Sequence, residues 1–421
     1  MEEDNDTLSR PITLQEIEKI LKICAKEKSP GLDGWTVEFY LGFWDILGPD
    51  ILALAEESRC QGRISGALNS TFIALIPKVS KPSSFEEYFL ISLCNFLYKI
   101  VSKIIVERLK PLLIQVITRE QFGFLSHRQI LDVVGVTQEV IHSIKTKHIP
   151  ACLLKIDLKK AYDRIDWVYL RLLLLQIGLE HEFVTWIMAC VQNVPLAVLV
   201  NGSPMKFFYG SRGLQQGCPL SPLLFILVMD SLSRMIGQAR ERGTIRGVWV
   251  TSSLVVTHVF FVDDVLLFGS NDLSDWSQYL SILTLFCKAT GMEISAHKSC
   301  FLSPGDSLDI DILEIFPYQS CKLEYGLRYL GFNLKPNGYN RNDWSWLEDR
   351  VASKIGLWCN RWLSLGSRLI RDQDFAHTTC HILKTLNIYS YIAALQRIFG
   401  IHCVPLFIYH GQVTTPRLKN V

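Results

Sequence analysis

A chain of 421 residues, 49% hydrophobic and 20% charged, has the apolar mass for one large core or two to three domains, which excludes a disordered or fibrous protein. A formal net charge of +2 provides no global basic field, so any nucleic-acid binding has to rest on local patches. The twelve cysteines are singlets with no Cys-x-x-Cys pair, which argues against zinc ribbons and disulfide frameworks and suits a reducing compartment.

The start, Met-Glu-Glu-Asp-Asn-Asp, is acidic and unlike a signal peptide, and apolar runs such as Leu172 to Leu175 are short of a membrane span. The expectation is a soluble intracellular protein without a membrane partner. Thr13-Leu-Gln-Glu16 has capping-box spacing ahead of an amphipathic helix through Ile17, Ile20, Leu21 and Cys24. Ser29-Pro-Gly-Leu-Asp-Gly34 is a turn-rich loop, followed by a helical region over about Val37 to Cys60. Thr71 to Pro77 reads as a strand, with Lys78 and Lys81 just beyond. Asn95 to Leu113 is helical, with Lys99, Lys103 and Arg108 on one side, and Ile130 to Lys145 is a further helix.

Ala151 to Ile156 is a strand ending in Asp157, and Asp166 is placed to cap the next helix. Leu196 to Asn201 and Met205 to Tyr209 suggest a hairpin closed by Gly202-Ser203. Leu214 to Pro222 leads into a long apolar helix. Val259 to Phe268 is an apolar hairpin with Asp263 and Asp264 at its tip. A helix from about Asp275 to Thr290 stops at Gly291, Arg328 to Phe332 is a short strand and turn, and Trp344 to Leu363 is helical. His377-Thr-Thr-Cys380-His381 has ligand-like residue types but no partner pair, and reads as ordinary helix. Strands, helices and hairpins alternate as an α+β layer, without a glycine-rich phosphate loop.

Two adjacent buried carboxylates are costly unless a cation lies beside them. If the strand ending in Asp157 neighbours the one ending in Asp263, the set becomes a clamp for two Mg²⁺ ions in phosphoryl transfer. Each motif alone also fits a plain turn or cap. Their order changes this reading. Ser29 to Gly34, Leu75-Ile-Pro-Lys78, Ile91-Ser-Leu-Cys-Asn95, Gln121-Phe-Gly-Phe124 with Arg128, Lys155-Ile-Asp-Leu-Lys-Lys-Ala-Tyr-Asp163, Gly213 to Pro222, Phe261-Val-Asp-Asp264, Gly291 to Ser299 and Tyr329-Leu-Gly331 follow one another. In that order the chain resembles the reverse transcriptase domain of non-LTR (LINE-type) retrotransposons, most closely the plant version, over about Thr13 to Leu369.

The resemblance implies a right-hand polymerase fold with helical fingers, an antiparallel palm sheet and a partial helical thumb. Its segments would be a helical extension over 1–70, fingers over 71–150, palm over 151–335, partial thumb over 336–370 and an atypical tail over 371–421. It implies RNA-directed DNA synthesis, with RNA template, DNA primer and dNTPs as partners and two Mg²⁺ ions, or Mn²⁺, on Asp157, Asp263 and Asp264. Tyr162 would stack under the incoming sugar and reject a 2′-hydroxyl, Gln216 and Gly217 would line the nucleotide pocket, and Lys78 would touch the triphosphate. Lys298 would be the general acid for pyrophosphate, or else a surface lysine. Tyr329 and Gly331, with Lys99, Lys103, Arg128, Lys354 and Arg361, would hold primer and template. A nuclear location follows only from the family's life cycle.

The chain departs from the family at Phe89-Leu90, where Arg-Pro is usual, at Gln215 and Cys218, where Arg and Asp are common, and at His127, where glycine is common. The alternative function is therefore a catalytically silent relic that at most binds nucleic acid. A third reading is a maturase-like relative of the same superfamily. The text past Ile370 no longer resembles the family, and neither an endonuclease nor an RNase H constellation is visible, so a fragment of a polyprotein is expected.

Overall fold

The computed structural model describes residues 2–24, 33–304, 310–339 and, singly, 343, 345 and 349. Apart from residues 345 and 349, the expected helix over Trp344 to Leu363, with Lys354, Trp358 and Arg361, therefore lies outside the described residues, as do the tail with its His-Cys-His run and residues 29–32 of the Ser-Pro-Gly-Leu loop. The fold is an α+β right-hand polymerase fold, organised in two compact units.

Unit one comprises Met1–Ile130, Ala151–Ser303 and Ser307–Cys321. Its N-terminal helix Leu14–Ile23 is capped by Thr13, whose hydroxyl accepts from Glu16 N–H, and it buries Ile17, Ile20 and Leu21. Beside it lies helix Phe96–Val116, from which Arg108 is 6% exposed as a residue. The guanidinium of Arg108 grips both oxygens of Glu16 at 2.9 Å and the carbonyls of Leu8 and Arg10 at 2.9 and 2.7 Å. A residue expected on a basic surface is thus a buried clasp. The helical region after the Ser-Pro-Gly-Leu loop is two helices, Val37–Gly42 and Trp44–Gln61, broken at Phe43.

The first sheet is built on β1 (Thr71–Pro77) and β2 (Tyr88–Cys94), which form an antiparallel hairpin. The second holds β3 (Ala151–Ile156), an apolar run covered on both faces as its composition dictates. β4 (Pro195–Val200) joins the first sheet parallel to β1, followed by β5 (Ser203–Pro204) and β6 (Phe208–Tyr209). The turn after β4 is Asn201-Gly202, at φ of 51° and 81°, not Gly202-Ser203. Two successive left-handed residues are what a two-residue hairpin turn of matching twist requires, and Asn-Gly supplies them at least strain.

β7 (Val248–Trp249) pairs with β8 (Val255–Val256), and then come β9 (His258–Phe261), β10 (Asp264–Ser270), β11 (Cys300–Ser303) and β12 (Gln319–Lys322). The palm sheet has the order β12-β11-β3-β10-β9. Its pairings β3 with β10, β3 with β11 and β9 with β10 are antiparallel. Helices Ser221–Glu241 and Leu273–Thr290 carry the core, where Trp276, fully buried, meets Phe301 edge-on at 4.8 Å. Ser221–Glu241, the expected long apolar helix, has the length and composition to cross a membrane, but 67% of its most apolar window is buried inside the fold, as in a core helix. Among the described residues every cysteine is a free thiol.

Unit two contains Leu131–Pro150 and the chain from Lys322. Helix Ile130–Thr146 meets the hairpin of β13 (Leu327–Tyr329) and β14 (Phe332–Leu334) through its flanks: Gln138 Nε2 donates to Lys335 O at 2.7 Å, and Lys145 pairs with Glu324 at 2.6 Å. Tyr329 is buried in this unit, and Gly331, at φ 88°, closes the hairpin turn.

Candidate active site

β3 and β10 bring the carboxylates together. Val265 faces Ile156 across the ladder, so Asp264 and Asp157, one step further along each strand, leave the sheet at the same corner. Directly opposed residues share a face and side chains alternate along a strand. Leu266 opposes Lys155, so Asp264, Lys155 and Asp157 lie on one face. The hairpin tip is Val262-Asp263 rather than the Asp pair, because Asp264 is already paired with Phe261 as the first residue of β10.

Asp263 stays accessible at the tip, while Asp157 and Asp264 are half-buried. Lost hydration nevertheless raises the pKa of Asp263; its own backbone N–H offsets part of the effect and Asp157 adds to it. Asp264 is pushed up to about 6 by burial first and then by repulsion from Asp263, with Lys155 opposing and Asp157 adding. Lys155 is a site residue that the sequence reading passed over. Its i, i+2 spacing to Asp157 on a strand was the available signal. Among the described residues, no three carboxylate, histidine or cysteine side chains converge closely enough to form a ready chelate.

The loop after Gly291 lines the same corner. Ser295 N–H donates to Asp157 O at 2.8 Å, and the Ser299 hydroxyl accepts from Asp157 N–H at 3.2 Å. Lys298, within this turn, is exposed. Ser299 is a second residue whose role was missed, since a hydroxyl acting on a distant backbone N–H leaves no mark on local spacing.

Tyr162 stacks flat on Phe225, with centroids 4.3 Å apart and planes 3° from parallel. Burial raises its pKa, as does the nearby charge of Asp263. Gln216 accepts from Ser92 N–H at 2.7 Å through its carbonyl, and its Nε2 lies 3.5 Å from Asp163 Oδ1. Gly217 stands at φ 125°, and a Cβ there would lie 2.5 Å from Ser92 O. Its missing side chain thus allows the backbone of this loop to meet β2. Asp163 is raised by burial against the pull of Lys160, Gln216 and Lys78.

Lys78, at the outer end of the β1–β2 hairpin, is exposed. Its ammonium donates to Glu86 O at 2.7 Å and sits 5.0 Å from the Phe89 ring centroid. The departures Gln215 and Cys218 point inward. Tyr98 OH meets Cys218 Sγ at 3.1 Å, and Gln215 Oε1 accepts from Cys94 Sγ at 3.4 Å. Lys103 donates to Cys24 Sγ at 3.1 Å, and Lys99 is half-buried on the same helix. Arg128 gives its guanidinium to three backbone carbonyls, Thr118 O, Gln121 O and Ile117 O, at 2.5, 2.6 and 3.1 Å. Tyr329 and Gly331 belong to the second unit, and Lys354 and Arg361 lie outside the described residues.

Comparison with known proteins gives this geometry a context. A family described as reverse transcriptase (RNA-dependent DNA polymerase) matches residues 76–334. The Xenopus laevis "Transposon TX1 uncharacterized 149 kDa protein" is 30% identical over 405 residues, covering 94% of this chain and 30% of that protein. The Drosophila melanogaster Pol polyprotein from type-2 retrotransposable element R2DM is 26% identical over 314 residues, 74% of this chain and 28% of that one. This chain therefore spans about 30% of the length of these relatives. A Candida albicans telomerase solved with a fragment of telomeric RNA aligns at TM-score 0.43 and 13% identity, over 82% of this chain and 59% of that one. The match over residues 76–334, more than half of the sequence, settles the family: the chain belongs to the reverse transcriptases (RNA-dependent DNA polymerases), and within them to the non-LTR retrotransposon type.

Proposed function

We propose that the chain performs RNA-directed DNA synthesis for a LINE-type element, taking an RNA template, a DNA primer and dNTPs. The observation that carries this reading is the β3–β10 register, which places Asp157 beside Asp263 and Asp264 at one corner of the palm sheet. The family uses divalent metal ions. Three carboxylates whose mutual repulsion and burial raise the proton affinity of two of them form an all-oxygen donor set that suits a hard dication. Asp157, Asp263 and Asp264 would hold two Mg²⁺ ions, or Mn²⁺. When bound, such ions neutralise triphosphate charge and acidify the primer hydroxyl.

The remaining steps fall to the chain's own side chains. The primer 3′-hydroxyl would attack the α-phosphate and lose its proton to solvent as the new P–O bond forms, while the bond from the α-phosphorus to the bridging oxygen breaks and pyrophosphate departs. Lys298, exposed beside the Asp157 corner, would supply a proton to the leaving group. Tyr162, immobilised on Phe225, would form a flat wall under the sugar that a 2′-hydroxyl would strike. Gln216 and Gly217 would line the base and sugar pocket, and Lys78 would reach the triphosphate. Lys99 and Lys103 in the fingers and Tyr329 and Gly331 in the second unit would meet primer or template. Lys354 and Arg361 keep the thumb role that the resemblance gives them. Arg128 would act on that path through the loop that it holds, since its guanidinium is engaged with backbone. The segment names given above, the plant branch and a nuclear location rest on the motif resemblance.

A silent relic is the second reading. It is favoured by Lys78, whose ammonium is spent on Glu86 O and the Phe89 ring where the family keeps an arginine. Purified protein, oligo(dT)-primed RNA, dNTPs and Mg²⁺, with Asp263→Asn as the control, decide between the two. Extension lost in the control supports the polymerase. Folded protein with no extension above the control refutes it.

A further inference from the structure

The catalytic turn is held from behind by a segment with no assigned role at this turn. Val262, the first central residue, is buried and sits at φ 60°. A β-branched residue is crowded by its own backbone there, and the usual occupant of that turn position is glycine. Such a conformation persists only when its surroundings impose it.

Residues 120–123 are those surroundings. Phe260 N–H donates to Glu120 O at 2.8 Å and Phe122 N–H donates to Phe260 O at 2.9 Å, so this segment runs alongside β9. Gln121 is 0% exposed. Its Oε1 accepts from Val262 N–H and from Gly123 N–H, both at 3.0 Å, and its Nε2 faces Val262 O at 3.5 Å. A side chain thus supplies the hydrogen bonds of a turn peptide that no strand reaches, and a buried N–H left without one is costly. Gly123 closes the fit from the other side. A Cβ on it would stand 2.4 Å from Val262 Cγ2 and 3.1 Å from Val262 N. The segment is itself anchored, through Thr118 N–H to Asp230 Oδ1 at 2.8 Å and through the Arg128 guanidinium.

We infer that Gln121 and Gly123 are positioning residues for the catalytic turn: they hold Val262 left-handed and thereby set Asp263 and Asp264 against Asp157. This rests on the polymerase reading of the carboxylates. Without the Gln121 acceptor, or with a methyl group on Gly123, Val262 relaxes, the peptide entering Asp263 rotates, and the carboxylate leaves its place.

The test uses Gln121→Met, which keeps side-chain length without the acceptor, and Gly123→Ala, each alone and combined with Val262→Gly, in the full chain. Mn²⁺ binding to the protein alone is read by electron paramagnetic resonance, and kcat and KM by primer extension. Each single variant should weaken Mn²⁺ binding and lower kcat by on the order of 10- to 100-fold, as loss of a residue that orients a ligand does. The KM for primed RNA should stay within about twofold. In the Val262→Gly background the same changes should cost less than about threefold, because glycine adopts the turn unaided. Equal losses in both backgrounds, or Mn²⁺ binding unchanged in Gln121→Met, would overturn the inference. If Gln121→Met does not fold, the Gly123→Ala pair gives the answer. A wild type that binds Mn²⁺ but extends no primer refutes the polymerase reading, while the Mn²⁺ comparison still decides the role of the two residues.

Discussion

Replacing His258 with Gln probes the polar base of the hairpin that carries Asp263 and Asp264. His258 opens β9, is 1% exposed, and its ring bridges two hydroxyls: Nε2 to Ser233 Oγ at 2.7 Å and Nδ1 to Thr257 Oγ1 at 2.9 Å. Burial, joined by the charge of Arg240, lowers its pKa from 6.5 to about 3. With the folded value below the unfolded one, the unfolded chain takes up a proton as pH falls past 6.5 and the folded chain does not. The neutral ring therefore contributes stability that is present above pH 6.5 and is lost as pH falls toward 3. Between pH 7.5 and pH 5 the loss is about 2 kcal/mol, since 1.5 units below the unfolded pKa cost about 1.36 kcal/mol each. Glutamine keeps a polar group that both donates and accepts but does not titrate. Urea unfolding at the two pH values should show the wild type losing about 2 kcal/mol more than His258→Gln. Parallel losses in both proteins would refute the reasoning, whatever their absolute stabilities.

Gly217→Ala places a methyl carbon 2.5 Å from Ser92 O on a backbone at φ 125°, which costs about 1–3 kcal/mol of strain or displaces the loop. Because that loop carries Gln216, steady-state kinetics should show the KM for dNTP rising by on the order of tenfold, with the KM for primed RNA unchanged. Arg108→Met leaves Glu16 and three backbone carbonyls, of Leu8, Arg10 and Pro11, without their buried donor. Unfolding should report a loss of about 3–5 kcal/mol, while the salt dependence of RNA binding keeps its slope because no phosphate contact is removed. Phe89→Arg restores a cation next to Lys78, whose ammonium now sits 5.0 Å from the Phe89 ring. If the missing charge limits turnover, the KM for dNTP falls and kcat changes little.

What the sequence made legible was local or ordered along the chain. β3 ends at Ile156, before Asp157, Asp166 caps its helix by accepting from Tyr169 N–H at 2.9 Å, and Gly291 ends another helix at φ 76°. Each of these is written in residues a few positions apart, and the motif order then supplied the fold. The partners of single charges were not legible. Arg108 stands on a sequence pattern that fits a solvated basic face and Arg128 on a motif expected to meet primer or template, and only the elements packed over them turn their guanidinium groups toward carbonyls. The tip of the hairpin lies one residue before the expected Asp pair, because the turn is set by Val262 and by a glutamine 141 positions away. Inward-facing Cys218 read as a lost polar group, yet it fits the buried site beside Tyr98 that it occupies.

The first sheet has a mechanical consequence. β4 supports β1 only from Thr71 to Ile73, whereas β2 stays paired with β1 out to Tyr88 opposite Pro77. Beyond Ile73 the hairpin is a bare two-stranded ribbon, an arrangement of marginal stiffness in water. The residue opposite Ile73 is Ser92, whose N–H is bonded to Gln216 O. The root of the ribbon is therefore tied to the loop of Gln216 and Gly217 at the very pair where its support ends. That pair is a fulcrum: bending there would swing Lys78 and Phe89 through space while leaving Gln216 in place.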